Sequence, residues 1–516
     1  MINLRPVSTA VASVLLFMVS SPALHSDATP PAPGPAPAPA PKTRPNVLVI
    51  VLDDMRDEGV MNVPQVLPKT KQWLQQAGAT FTEGYATTPL CCPERASIWS
   101  GRLSHNHGAF NNDLPPKSGT AGTGDALDRE WIMPRYLHDA GYRTGLIGKF
   151  ITNWHFRYDP PHFDDYAVFQ GGYIDAPFRV KDPGQTSRHN ETGAYTTDYI
   201  ADKTVQYINA YKANGTQPWY LHVTPHVPHD NLVDTKDGCD LHKLYDWPAR
   251  HDQTPIPPWN PTPAVTVEAG PNAKAEKADK VPYVRYMKDF TQKCGEVTHT
   301  GHMKTLLAAD EMVDRIMTTL QADGELENTL VIFTSDNGWS WDERGFTSKG
   351  LPYTEHVKLP FLVRWDGVFP PGSVDARPVG GEDILPTVLD AAGYNPPVLR
   401  YPLDGRSFLP GRPGKSLKYL EFGPSGPNPP GYTGNHRSIP TWVSMRTTTW
   451  QYIEYYGNDN TTVAFREYYD LTNDPWELQN LLADNNPAND PDVAALSAQM
   501  KRLRTCAGTN SLNPCP

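Results

Sequence analysis

No block of consecutive lysines or arginines occurs anywhere in this 516-residue chain, whose formal charge is −11. It therefore lacks a bulk electrostatic means of holding nucleic acid or an anionic membrane surface, and any anionic ligand has to be bound by a local pocket. Long apolar runs are equally scarce. The longest near the N-terminus, residues 10–19, is too short and interrupted to span a bilayer, so no membrane span is expected in the mature chain. No internal repeat is present. Cysteine is sparse as well, six in all, and none lies close to that N-terminal run, which excludes a lipoprotein anchor there.

What is present begins with an export signal. Arg5 supplies positive charge, the apolar run follows, and small residues surround Pro22 and Ala23, so residues 1–28 read as a signal peptide and the protein as secreted or extracytoplasmic. Residues 29–43 are rich in Pro and Ala and read as a linker unable to build a core. The length exceeds what one core usually serves, which predicts a large domain plus a smaller one. Cys239 and Cys294 could close a long loop and Cys506 and Cys515 a short one, as suits an oxidising compartment. Cys91 and Cys92 remain. Neighbouring cysteines make a strained disulfide, so this pair calls for another explanation.

Near-continuous apolar runs at residues 47–52 and 329–334 have the character of strands buried on both faces, and they stop at Asp53-Asp54 and at Asp336-Asn337-Gly338. Two further strands are predicted, 142–147 ending at Gly148-Lys149 and 219–223 ending at the loop that carries His226 and His229. Helical periodicity appears at 306–320, 68–76 and 384–392. Alternating strands and helices predict an α/β domain with a large, mostly parallel central sheet, in which ligands lie beyond the carboxyl ends of the strands. All four polar clusters fall there. After about residue 393 the texture changes to Pro/Gly-rich loops, aromatic alternating segments (442–446, 450–455, 464–469) and a helical tail at 492–503. This predicts a smaller C-terminal antiparallel sheet with a helix, residues 412–516, behind a catalytic part at 44–411.

Three carboxylates at two strand ends repel one another unless a cation intervenes. A hard divalent ion bound through oxygen would relieve Asp53, Asp54 and Asp336, with Asn337 as neutral ligand. By themselves, Asp-Asp could equally be a helix cap and Asp-Asn-Gly a turn. In the segment Cys91-Cys92-Pro93-Glu94-Arg95, Pro93 suits the first position of a helix, which places Cys91 at a helix mouth that favours anions.

Cys91-x-Pro93-x-Arg95 followed by Ser100-Gly101 resembles the type I sulfatase signature. Pro45-Asn46 and Asp53-Asp54 before it, and Gly148-Lys149, residues 225–229, residues 334–338 and Lys349 after it, stand in the family's order, so the likeness spans about 44–480. Within the family the run through Ile98 and His105-Asn106-His107 looks most like the N-acetylglucosamine-6-sulfatases and secreted bacterial arylsulfatases. The resemblance implies an alkaline-phosphatase-like sandwich fold and hydrolysis of an aryl or sugar sulfate ester. It further implies oxidation of Cys91 to formylglycine by a formylglycine-generating enzyme, and one divalent cation, with Ca2+ the usual ion and Mg2+ the alternative.

By the same resemblance Asp53, Asp54, Asp336 and Asn337 are the metal ligands, and Arg95 orients the formylglycine hydrate. Lys149 and Lys349 bind sulfate oxygens, and His229 protonates the leaving oxygen or bonds sulfate. One departure concerns the histidine many members carry two residues after the first site lysine: here Asn153 and His155 compete for its place. Two other readings stand beside this one. A phosphoester or phosphonate hydrolase of the same superfamily would share the metal half-site, and a catalytically inactive carbohydrate-binding homologue would keep Cys91 as a thiol. Loops 156–190 and 236–294, with their Tyr, Trp and Pro content, are expected to wall the pocket.

Overall fold

Every residue of the strand Asn46–Leu52 (β1) is buried, as its unbroken apolar character requires, and it lies in the middle of a ten-stranded sheet. The computed structural model describes residues 44–112, 126–152, 154, 158–213, 215–231, 239–270, 272–287, 292–424 and 439–516. The signal and linker expected at 1–28 and 29–43 lie outside these residues, and so do Asn153 and His155. No described helix is long and apolar enough to cross a membrane.

The remaining strands of the first part are β2 (Ala79–Phe81), β3 (Gly84–Tyr85), β4 (Arg143–Lys149), β5 (Asp165–Phe169), β6 (Ile174–Lys181), β7 (His189–Tyr195) and β8 (Trp219–Thr224). They are followed by β9 (Thr329–Ser335), β10 (Leu362–Arg364), β11 (Ser373–Asp375) and β12 (Val379–Gly380). The large sheet runs β11-β2-β10-β9-β1-β8-β4-β5-β6-β7, while β3 and β12 pair separately. Its centre is parallel: β1 pairs with both β8 and β9, and β4 with both β8 and β5. Adjacent parallel strands end on one edge, so the segments after β9, β1, β8 and β4 emerge side by side.

The helices used below are α1 (Cys91–Ser100), α2 (Thr196–Ala213), α3 (Gln292–Ala322), α4 (Ile384–Ala391) and α5 (Val493–Leu503). Successive side chains of a strand point to opposite faces, and β1 divides accordingly. Leu48, Ile50 and Leu52 pack with Ile200 and Tyr207 of α2 and with Leu306, Val313 and Ile316 of α3. Val47, Val49 and Val51 pack with Ala96, Ile98 and Trp99 of α1 and with Ile384 and Val388 of α4. This is the helix–sheet–helix sandwich that continuous apolar strands demand. The C-terminal part forms the antiparallel sheet β13 (Lys418–Phe422), β14 (Trp442–Arg446), β15 (Trp450–Tyr456), β16 (Val463–Asp470), with α5 against it.

Three expectations need correction. The helix predicted at 68–76 is one α-turn, Pro68–Thr70, that widens into a π-helix, Lys71–Gln76. The helix bearing the cysteine pair starts at Cys91, after extended Leu90, so Pro93 is its third residue; the third N–H of a helix is also without an intrahelical partner, so proline remains tolerated. Much of the predicted pocket loop 156–190 is sheet, because β6 alternates exposed and buried residues and pairs antiparallel with β5 and β7 at the sheet edge. Disulfides join Cys239 to Cys294 and Cys506 to Cys515, and Cys91 and Cys92 stay outside both.

Candidate active site

Asp53 and Asp54 continue β1 past its last rung. In an extended chain their side chains would diverge, but Asp54 adopts a left-handed backbone, φ 72°, which aspartate tolerates better than most residues and which turns both carboxylates to one centre. The backbone here is tied to both neighbouring strand ends: Asp53 N–H donates to Val227 O at 3.0 Å and Asp336 N–H to Leu52 O at 3.1 Å. Asp54 N–H donates to Asp336 Oδ1 at 3.2 Å, and Asn337 Nδ2 donates to Asp54 Oδ1 at 2.5 Å. Two glycines make the crowding possible. At Gly148, φ 113°, a Cβ would lie 2.0 Å from Thr224 O, and at Gly338 it would lie 2.2 Å from Glu355 O.

Cys91 enters from the first turn of α1. Its Sγ lies 3.4 Å from Asp53 Oδ1 and 2.8 Å from Lys349 Nζ, which also donates to Asp54 Oδ1. Arg95, one turn further along α1, donates from Nε to Asp336 Oδ2 at 2.8 Å and from Nη1 to Lys149 O at 3.3 Å. Lys149 Nζ donates to Asp53 Oδ2 at 2.5 Å. His229 completes the ring, with Nε2 3.4 Å from Asp54 Oδ2 and Nδ1 donating to Asp230 O at 2.8 Å. All nine residues nominated from the sequence therefore converge in one buried centre.

The electrostatics follow from burial set against close opposite charges. Burial pushes the Asp53 carboxyl up, but Lys149, His229, Arg95 and Lys349 outweigh it and hold it well below the carboxylate range. Asp336 goes the other way, to about 6, because burial and the Asp53 charge exceed the pull of Arg95. Burial would discharge Lys349, Lys149 and His229, yet Asp54 and Asp53 keep Lys349 and His229 well above their ordinary values, and Asp53 raises Lys149.

The donor set fits a hard divalent cation. The carboxylates of Asp53 and Asp54 supply hard oxygens, with ligating atoms within 4.8 Å of one another and of Cys91 and His229. Asp54 Oδ2 and Asn337 Oδ1 are buried oxygens with no hydrogen-bond partner, and orphan oxygens of this kind are what such an ion binds.

Two neighbours, Asp230 and Trp339, escaped the sequence reading, and a third, His226, was placed on the loop of His229 but given no role. Asp230 bonds His229 through its carbonyl, and its Oδ1 lies 3.2 Å from His229 Nδ1. The His226 ring stacks on His229 at 4.9 Å and, pushed down to about 3 by burial and by His229, is neutral. Trp339 follows Asn337-Gly338, its ring centroid 6.1 Å from that of His229 and 5.4 Å from Lys349 Nζ. Each lies within a few residues of a nominated one, but no spacing rule tells which neighbour of a strand-end residue turns inward.

A parallel-sheet edge that gathers carboxylates, lysines, an arginine and a buried thiol on a helix mouth defines a hydrolase for oxyanion esters. The chain belongs to the sulfatase family: residues 45–394 match the family model described as Sulfatase, and residues 342–506 match the model N-sulphoglucosamine sulphohydrolase, C-terminal. It is 29% identical over 524 residues to an arylsulfatase of Volvox carteri, covering 91% of this chain and 76% of that one. To the N-acetylglucosamine-6-sulfatase of Capra hircus it is 25% identical over 521 residues, covering 91% and 85%. A solved structure described as a complex with its substrate D-glucosamine-2-N,6-O-disulfate superposes with TM-score 0.68 at 22% identity, covering 89% and 97%. The fold also serves other esters, since a phosphonate monoester hydrolase from Silicibacter pomeroyi superposes with TM-score 0.64 at 22% identity, covering 91% and 97%. The protein is a sulfuric ester hydrolase of alkaline-phosphatase-like fold.

Proposed function

We propose that this protein is an exported sulfatase that releases inorganic sulfate from a sugar O-sulfate or aryl sulfate, using formylglycine made from Cys91 as nucleophile. The observation that carries the reading is the position of Cys91 Sγ, 2.8 Å from Lys349 Nζ and 3.4 Å from Asp53 Oδ1, which joins the modifiable residue to both the cationic and the carboxylate halves of the site. In this reading Asp53, Asp54, Asp336 and Asn337 hold one divalent cation, Ca2+ before Mg2+, which when bound supplies Lewis-acid polarisation. Residues 44–411 carry the chemistry, and 412–516 form the smaller subdomain.

The chain's own residues then have distinct tasks. Arg95, locked on Asp336, orients residue 91 from within the same helix. Lys149 and Lys349 are compact charges for sulfate oxygens and stabilise the charge that grows as the ester bond breaks. His229, held in the charged form by Asp54 and Asp53, has a proton for the departing alkoxide, and its bond to Asp230 O fixes which ring nitrogen faces the site.

The test is mass spectrometry of the tryptic peptide ending at Arg95, from protein secreted with a formylglycine-generating enzyme present. A mass about 18 Da below the cysteine form is expected. Conversion should coincide with sulfate release from 4-nitrophenyl sulfate and N-acetylglucosamine 6-sulfate. Faster turnover of 4-nitrophenyl phosphate or a phosphonate ester would replace sulfate by phosphorus chemistry, and an unmodified thiol with sugar binding but no turnover would leave a binding protein.

A further inference from the structure

The walls of the site are graded in exposure. Asp53, Asp54, Asp336 and Asn337 are fully buried and Cys91 is 1% exposed, whereas Lys149 is 4%, His229 5%, Trp339 8% and Lys349 9% exposed. The ester therefore enters past those four, and Trp339 is the one among them with a broad apolar face. Its position is fixed from behind. Arg56 donates from Nη1 to Trp339 O at 3.3 Å, is itself paired to Glu343 at 2.9 Å, and lies 4.3 Å over the Trp341 ring. His302 neighbours the indole, ring centroids 6.5 Å apart, and accepts from Trp341 Nε1 at 3.2 Å. Yet Trp339 Nε1 is a buried donor with no partner among the described residues. A buried indole N–H normally has an acceptor, and leaving one unpaired costs free energy. The ring, anchored and more than nine-tenths buried, lies beside Lys349 and His229 and carries a donor that the described residues leave unpaired.

We propose that Trp339 is the platform for the leaving group and selects a saccharide over an aryl ring. The inference rests on the sulfatase reading above, with His229 as the proton donor. A ring attached to an oxygen that meets His229 has its body within van der Waals reach of an indole centred 6.1 Å away. Any six-membered ring can pack on the indole face. Only a ring with an oxygen close to the ester oxygen, as a pyranose 6-sulfate has in its ring oxygen and neighbouring hydroxyl, can also accept from Nε1–H. A 4-nitrophenyl group has no such acceptor.

The experiment compares kcat/KM of formylglycine-bearing wild type and Trp339→Phe on N-acetylglucosamine 6-sulfate and 4-nitrophenyl sulfate. Phenylalanine keeps an aromatic face and removes the donor. A loss of about 10-fold on the sugar sulfate, the worth of one hydrogen bond, with less than about 2-fold change on the aryl sulfate, is the expected result. Equal losses on both substrates mean a purely structural role and overturn the proposal. So does a wild type that cleaves the aryl but not the sugar ester. A second measurement is independent of how the variant folds: wild type should prefer N-acetylglucosamine 6-sulfate about 10-fold or more over cyclohexylmethyl sulfate, which keeps the ring and the CH2–O–sulfate but no acceptor oxygen, and equal rates overturn the proposal. If this inference alone fails, sulfate release by wild type persists. If the sulfatase reading fails, no sulfate ester is cleaved even with the aldehyde present.

Discussion

Two groups of buried charges lie on either side of α1, and they are finished differently. Behind the helix, Lys418 Nζ donates to Glu382 Oε2 at 2.7 Å and to Thr87 Oγ1 at 3.1 Å, while Lys415 reaches Glu382 at 2.6 Å and Asp383 at 2.7 Å. In front of it, at the active centre, Asp54 Oδ2, Asn337 Oδ1 and Arg95 Nη2 lack hydrogen-bond partners. Burying charge is costly in both places, and in the second the chain's own ion pairs leave several polar atoms unpartnered. The difference teaches that of these two groups only the one at the candidate site leaves buried polar atoms open to a ligand.

The largest effect should come from the unsaturated centre. Cys91→Ala removes the proposed nucleophile and should lower the rate of sulfate release on the order of 10^4-fold or more, with little change in the urea denaturation midpoint. Lys418→Ala should do the reverse. It removes one of the two lysines paired with buried Glu382 and leaves Lys415 as the other, so denaturation should show a loss of about 1–3 kcal/mol, while kcat of the folded fraction stays near wild type. If Lys418→Ala costs activity and not stability, the contrast is broken.

Metal sharpens the same comparison. Saturating Ca2+, at about 100 times its dissociation constant, should stabilise the wild type by about 2.7 kcal/mol, and EDTA should abolish both that gain and the activity. Asp54→Ala should lose the Ca2+-dependent shift in melting temperature, whereas Lys415→Ala should retain it.

The smallest effect tests the hinge between the two groups. Glu94 on α1 accepts from Thr88 N–H and Gly381 N–H, both at 3.1 Å, and burial pushes its carboxyl up to about 8, against Lys418 and reinforced by Glu382. Between the ordinary carboxylate range and pH 8 the folded chain therefore holds a proton that the unfolded chain has released, so stability falls as pH rises through that window. Glu94→Gln should flatten this decline, gaining about 1–2 kcal/mol over wild type at pH 8, as measured by urea melts at several pH values. A steeper decline in the variant would contradict the assignment.

Much of this was legible in the residue order. The strands ending at Asp53, Lys149 and Asp336 were visible because a doubly covered strand has to be apolar on both faces, and its end is marked where polar residues resume. The C-terminal strands showed their two-residue alternation. The strands β6 and β7 at one end of the sheet were not legible, since they mix polar and apolar residues, with Pro177 inside β6, and take their structure from pairing with a neighbour. Nor was the true start of α1 at Cys91, which depends on extended backbone at Leu90 giving way to helix at the next residue.

The sequence by itself determined which chemical groups are available and that several stand at strand ends, because local pattern and residue type are properties of the chain. Only the tertiary structure decided that those ends share one edge, that Asp54 turns to join Asp53, and that Asp230, His226 and Trp339 face the centre. Proximity between residues hundreds of positions apart is set by sheet order and packing, and neither is written in any local stretch of the chain.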